Sequence, residues 1–189
     1  MWWAQLLNNQ AALYGGGVIE VGDFESIATA SGTGSSGTIT FSSIPSTYKH
    51  LQIRYIGRGT GSGVATQLRM RINGSSSPYA FHRLLGNGSA ASAFGYAGEV
   101  YIQDVISFAG GGAGSYTFGA GVIEILDYSN SNKNAVVRAL SGTDNNGAGE
   151  IILGSGLYPT AAVITEVSLE ANGQNWATGS HFALYGIKG

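Results

Sequence analysis

The feature that most constrains this chain is a succession of short runs in which apolar and polar residues alternate, separated by glycine-rich turns. In residues 67–72 every second residue is apolar, and the Asn-Gly pair at 73–74 favours a turn. Residues 116–138 place apolar runs on both sides of a polar tip, which predicts a β-hairpin. Nine or ten such strands predict an all-β fold, a jelly-roll-like antiparallel β-sandwich over residues 22–189.

The composition adds a prediction about association. Charged residues make up 11% of the chain, against about 25% in ordinary soluble proteins. Glycine occurs 31 times in 189 residues, but 43% hydrophobic residues argue against disorder. A surface so poor in charge is coated with small polar residues or covered by neighbouring subunits, so we expect a homo-oligomer. The net charge of −2 gives no electrostatic case for nucleic acid.

The first part of the sequence differs from the rest. Residues 1–21 contain the only helical spacing, which ends at the triple glycine at 15–17. The segment is too short and too polar to span a membrane, and it lacks the basic start of a signal peptide. We expect a helical or extended attachment segment that binds copies of itself or other proteins; the alternative is a segment folded back onto its own domain. Its apolar anchors are Trp2, Trp3, Leu6, Leu7 and Leu13.

The sequence contains only weak matches to nucleotide-binding, metal-binding or catalytic motifs. Residues 32–37 match G-x-G-x-x-G, but a strand rather than a helix is predicted next, so a strand connector is favoured over a nucleotide site. The oxygen-rich stretch from Asp144 to Glu150 is interpreted as a surface turn rather than a calcium loop. With no cysteine and three scattered histidines, we expect no metal site, no cofactor and no catalytic residues.

Aromatic residues in predicted loops are the remaining recognition feature. A ring beside side-chain amides can stack on a sugar while the amides hydrogen-bond to it. The alternative is that each ring caps the open end of the sandwich. The candidate glycan contacts are Trp176, Asn172, Gln174, Asn175, Tyr79 and Tyr158.

Five phrases distributed over residues 23–189 occur in an order typical of one protein family. They are FESIAT at 24–29, FSSIPSTYKHLQIR at 41–54, HRLLGNG at 82–88, ILDY at 125–128 and FALYGIKG at 182–189. In these phrases the chain resembles virion structural proteins of tailed bacteriophages, which are common among phages of aquatic bacteria.

The resemblance implies a place in the virion and no enzymatic activity. Such proteins are tail-fibre, receptor-binding or head-decoration components, and they carry no family catalytic residues. By analogy with phage fibres and knobs, the preferred oligomer is a trimer. We therefore expect a homotrimeric tail-fibre or baseplate appendage that attaches to other virion proteins through residues 1–21 and contacts host glycans. The alternative is a capsid decoration, cement or head-fibre protein, and a cell-surface polysaccharide depolymerase comes third. Relatives often carry a longer region before this domain than the twenty or so residues present here.

Overall fold

The computed structural model describes residues 23–189, and the predicted attachment segment lies outside the described residues. Within them the chain forms twelve β-strands and no helix, so none of this part of the chain is a helix that could cross a membrane. The strands are β1 (Phe24–Ser31), β2 (Thr38–Phe41), β3 (His50–Gly57), β4 (Ala65–Ile72), β5 (Tyr79–Gly86), β6 (Ala91–Glu99), β7 (Ile102–Ala109), β8 (Gly119–Leu126), β9 (Ala135–Asn145), β10 (Ala148–Tyr158), β11 (Val167–Glu170) and β12 (His181–Ile187).

The strands form two sheets of unequal size. The larger has eight strands in the order β1-β12-β3-β8-β9-β10-β5-β6, and the smaller has four in the order β2-β11-β4-β7. Neighbouring strands in both sheets are antiparallel. The prediction of an all-β antiparallel sandwich is confirmed.

The core lies between the sheets, where β7 of the small sheet packs across β8, β9, β10 and β5 of the large one. Alternate residues of the large sheet enter this core, among them Ile123 and Val137, which are fully buried. Two glycines of β10 allow the close approach of β7: a Cβ added at Gly154 would lie 2.3 Å from the Cβ of Val105. Since real Cβ atoms do not come that close to other heavy atoms, a larger residue here would push the sheets apart.

The predicted hairpin at residues 116–138 is confirmed, with β8 paired to β9 from Ala120 to Leu126. The second strand is longer than the sequence suggested, because β9 continues to Asn145 and then pairs with β10. The Asn146-Gly147 turn between them has φ values of 49° and 104°, the positive range that a two-residue hairpin turn requires.

The antiparallel strands place the connections at two opposite ends of the sandwich. Residues 32–37, 58–64, 110–118 and 171–180 lie at one end, which we call the loop end. The first of these connects β1 to the strand β2, as predicted for the G-x-G-x-x-G match. At the opposite end, which we call the entry end, the chain enters β1 at Phe24 beside Ile187 of β12.

Candidate functional site

The outer face of the eight-stranded sheet carries large apolar side chains that no described residue covers. Strand register aligns Leu140 of β9, Leu153 of β10 and Leu84 of β5 in one row. These three and Ile151 are between 48% and 59% exposed. A contiguous group of this kind on a folded protein marks a site of interaction. We call this group the outer apolar patch; its residues are Ile56, Leu84, Val122, Leu140, Ile151 and Leu153.

The patch forms because β9 and β10 carry apolar side chains on both faces. In β9, Val137 and Ala139 are buried in the core, while Val136 and Leu140 are nearly half exposed on the outside. A sheet with one solvated face normally alternates apolar and polar residues, whereas strands covered on both faces do not. The sequence of these strands is therefore typical of a sheet covered on both sides.

A row of polar side chains borders the patch towards the entry end. The Arg138 guanidinium donates to Glu124 Oε2 from Nε at 2.9 Å and forms an ion pair with it at 2.5 Å. Gln52 also donates to Glu124, at 3.4 Å, and accepts a hydrogen bond from Arg54 Nε at 2.8 Å. This row places both signs of charge at the edge of the apolar surface, the arrangement of a protein interface with a polar rim.

Shallow depressions separate the apolar side chains. One of about 530 Å³ lies between Arg54, Val122, Arg138 and Leu153. Another, of about 440 Å³, runs over Ala120 and Gly142, two small residues that leave the sheet backbone uncovered between Ile56 and Ile151. Protruding side chains from a partner can enter such gaps.

The predicted recognition residue Trp176 is fully buried, so its assignment as a glycan-stacking ring is wrong. Its ring packs against Phe108 and Phe182, with centroids 4.5 and 4.8 Å apart. The indole Nε1 donates to the Leu169 carbonyl at 3.3 Å. Trp176 therefore closes the core at the loop end, the alternative that the sequence also left open.

Tyr79 and Tyr158 are also buried, and they lie at the entry end, far from Trp176. Their rings stack on each other with centroids 5.6 Å apart. The Tyr79 hydroxyl accepts a hydrogen bond from the Ile72 backbone N–H at 3.0 Å, and burial raises its pKa. Neither ring offers a face to a sugar, so these two assignments are wrong for the same reason.

The three predicted amides connect loops or form a turn. Gln174 Oε1 accepts from the Gly61 backbone N–H at 2.6 Å, and its Nε2 donates to Thr66 Oγ1 at 3.2 Å. Asn175 Nδ2 donates to the Gly34 carbonyl at 3.2 Å. Asn172 occupies a turn with a positive φ of 50°. Gln174 and Asn175 thus have partners within the protein.

The carboxylates of the predicted oxygen-rich loop do not converge. Asp144 is exposed on the outer side of β9, whereas Glu150 points inward and accepts hydrogen bonds from Ser107 Oγ at 2.5 Å and Gln67 Nε2 at 3.2 Å. Within residues 23–189 no three His, Asp or Glu side chains are grouped so that they could hold a metal ion.

Sequence reasoning missed the role of Arg58. Its guanidinium donates to four backbone carbonyls of the β7–β8 connection, at 2.7 to 3.0 Å: those of Gly111, Ala113, Gly114 and Thr117. This fixes a glycine-rich loop, at whose tip Tyr116 is 95% exposed with a φ of 65°. Only the contacts in the folded protein reveal this arrangement, since the residues are more than fifty positions apart in sequence.

Comparisons with known proteins add little. No protein-family model matches the chain, and no curated protein matches it. Among solved structures, galectin LEC-6 from Caenorhabditis elegans is 10% identical, and the match covers 85% of this chain and 96% of the galectin, with a TM-score of 0.31. At that score the similarity carries no argument about fold or ligand.

Proposed function

We propose that this chain is a non-enzymatic structural subunit of a tailed-bacteriophage virion whose copies associate through the outer apolar patch. The observation that carries this proposal is the row of half-exposed Leu140, Leu153 and Leu84. A protein with only 11% charged residues has few charges to keep such a surface soluble. Covering it with a second subunit removes the apolar side chains from water, which stabilises the assembly.

A second copy of the same chain is the occupant that the surroundings of the patch favour. The bordering row holds Arg138 and Arg54 as well as Glu124, so it presents both signs of charge. A surface with both signs of charge can lie against a second copy of the chain, whose own surface also carries acidic and basic groups. A partner of one dominant charge would leave part of this row unmatched.

The two ends of the sandwich support an appendage. Residues 1–21, the proposed attachment segment, precede the entry end, where Phe24 pairs with Ile187. The loop end lies opposite and presents Tyr116 on the loop fixed by Arg58. Attachment at one end directs the other towards the surroundings, as a component that contacts a host surface requires. The homotrimer implied by the resemblance is part of this proposal.

Immunoelectron microscopy tests the proposal. Gold-labelled antibody raised against the folded protein is applied to purified virions of the phage that encodes it. Antibody pre-absorbed with the protein is the control. Label at the tail or baseplate supports an appendage, and label over the head supports the alternative of capsid decoration. Virions that carry no specific label would contradict a structural role in the particle.

A further inference from the structure

The sheet that carries the outer apolar patch is also the sheet that the chain enters. β1, the first described strand, forms its edge, and the phenyl ring of Phe24 lies on the outer face against Tyr185 with 4.8 Å between centroids. Arg54 covers this pair, with its guanidinium carbon 5.0 Å from the Phe24 centroid. The described part of the chain therefore begins beside the outer face.

The composition of the residues that precede Asp23 in sequence matches the patch. The first nineteen contain no charged side chain, and five of the first thirteen are tryptophan or leucine. The anchors predicted from sequence, Trp2, Trp3, Leu6, Leu7 and Leu13, supply apolar surface without charge. Aromatic anchors of this type dominate the cores of protein interfaces. An uncharged apolar segment suits a patch whose own side chains are aliphatic.

From these observations we infer that residues 1–13 of one copy lie against the outer apolar patch of a second copy. This inference rests on the proposed self-association and names the element that occupies the surface: residues 1–13 bind a second copy, and attachment to other virion proteins is left to the entry end of the sandwich.

Chain length favours a second copy over the same chain. Leu13 and Asp23 are ten residue steps apart in sequence, with the triple glycine between them. A glycine-rich chain of that length has a typical end-to-end distance of roughly 17 Å. From β1 to the centre of the patch on β9 and β10 there are four to five strand spacings of about 4.8 Å. The step from Val136 to Leu140 runs along β9, perpendicular to these spacings, and measures about 13 Å, so the straight-line distance is roughly 23–27 Å. The same chain can span this only with a stretched connection, whereas a second copy has no such constraint.

Tryptophan fluorescence of the full chain tests the inference. The protein has three tryptophans, and Trp176 is buried in the core, so acrylamide quenching reports Trp2 and Trp3. In the wild-type protein we expect both to be protected at concentrations where it is associated. Leu153→Lys places a charge in the patch, and two of the three tryptophans should then lose protection. Val64→Lys, at an exposed apolar residue of the loop end, is the matched control and should leave the quenching unchanged.

Deletion of residues 1–17 separates this inference from the proposed function. If both hold, the deletion dissociates the oligomer as Leu153→Lys does. An oligomer that survives the deletion but is dissociated by Leu153→Lys overturns the inference and leaves association through the patch intact. Protection of Trp2 and Trp3 that persists after dilution to monomers overturns it as well, since the segment then binds its own chain. No effect of Leu153→Lys on either quenching or association would overturn both proposals.

Discussion

Truncating Trp176 to alanine should destabilise the β-sandwich without touching a ligand surface. The side chain is fully buried at the loop end between Phe108 and Phe182. Its backbone holds residues 32–37 in place, because Trp176 N–H donates to the Ser36 carbonyl at 2.9 Å and its carbonyl accepts from Gly34 at 2.8 Å. Alanine keeps both backbone bonds, so the substitution isolates the contribution of the ring.

The expected loss follows from the packing. Removing a buried tryptophan side chain costs about 3–5 kcal/mol, because it loses the transfer free energy and leaves a cavity. The Leu169 carbonyl also loses the indole N–H at 3.3 Å, which contributes about 1 kcal/mol of that total. We therefore expect the free energy of unfolding to fall by about 4 kcal/mol. For a chain of this length the melting temperature should fall by roughly 8–16 °C.

Urea unfolding followed by circular dichroism measures this change at one fixed protein concentration, since association itself stabilises the folded state. Trp176→Phe keeps an aromatic ring, so the free energy of unfolding should fall by only about 1–2 kcal/mol. Tyr116→Ala removes a ring that is 95% exposed and should change stability by less than about 0.5 kcal/mol. A loss below about 1 kcal/mol for Trp176→Ala would refute the assignment of this ring to the core.

Two further predictions concern polar contacts at opposite ends of the sandwich. Hydrogen bonds and charges from Lys133 and Lys49 lower the pKa of Asp127 to about 2, below its value in the unfolded chain. The ionised carboxylate therefore stabilises the folded state above about pH 4, and this stabilisation is lost as the pH falls towards 2. Acid titration of the melting temperature should show a shallower decline for Asp127→Asn than for the wild type, and equal slopes would contradict the pairing. Replacing Arg58 by methionine removes four hydrogen bonds that hold the β7–β8 loop. Because the loop is then less firmly held, chymotrypsin should cleave after Tyr116 faster than in the wild type. An unchanged cleavage rate would mean that the guanidinium does not fix the loop.

The strands that alternate cleanly could be predicted from sequence, whereas β6, which does not, was missed. In β4, Leu68, Met70 and Ile72 are all fully buried, as their spacing indicated. β6 (Ala91–Glu99) was not predicted, because its alanines, serine and glycines give no apolar alternation and its pairing depends on β5. Edge strands of small residues are defined by the neighbour that supplies their hydrogen bonds, which a local pattern does not contain.

The candidate recognition residues failed for a different physical reason. A tryptophan among asparagine and glutamine fits both a sugar site and a core residue in a polar loop, and only the three-dimensional contacts distinguish them. Here Gly57 and Gly59 leave space for the loop around Trp176, because they have no side chain: a Cβ at Gly57 would lie 3.2 Å from the indole ring.

The outer apolar patch, in contrast, could have been recognised in the sequence from the pairs Val136-Val137 and Ile151-Ile152, in which adjacent apolar residues face opposite sides of the sheet. Such pairs indicate a sheet whose two faces are both apolar.

Sedimentation equilibrium of the full chain tests the central claim, that copies associate through the outer apolar patch. The wild-type protein, Leu140→Lys and the control Val64→Lys are compared at micromolar concentration. We expect the wild type and Val64→Lys to sediment as the same multiple of 19.4 kDa, and Leu140→Lys to sediment as a folded monomer. A wild-type protein that sediments at 19.4 kDa, or an oligomer that Leu140→Lys leaves unchanged, would contradict the claim.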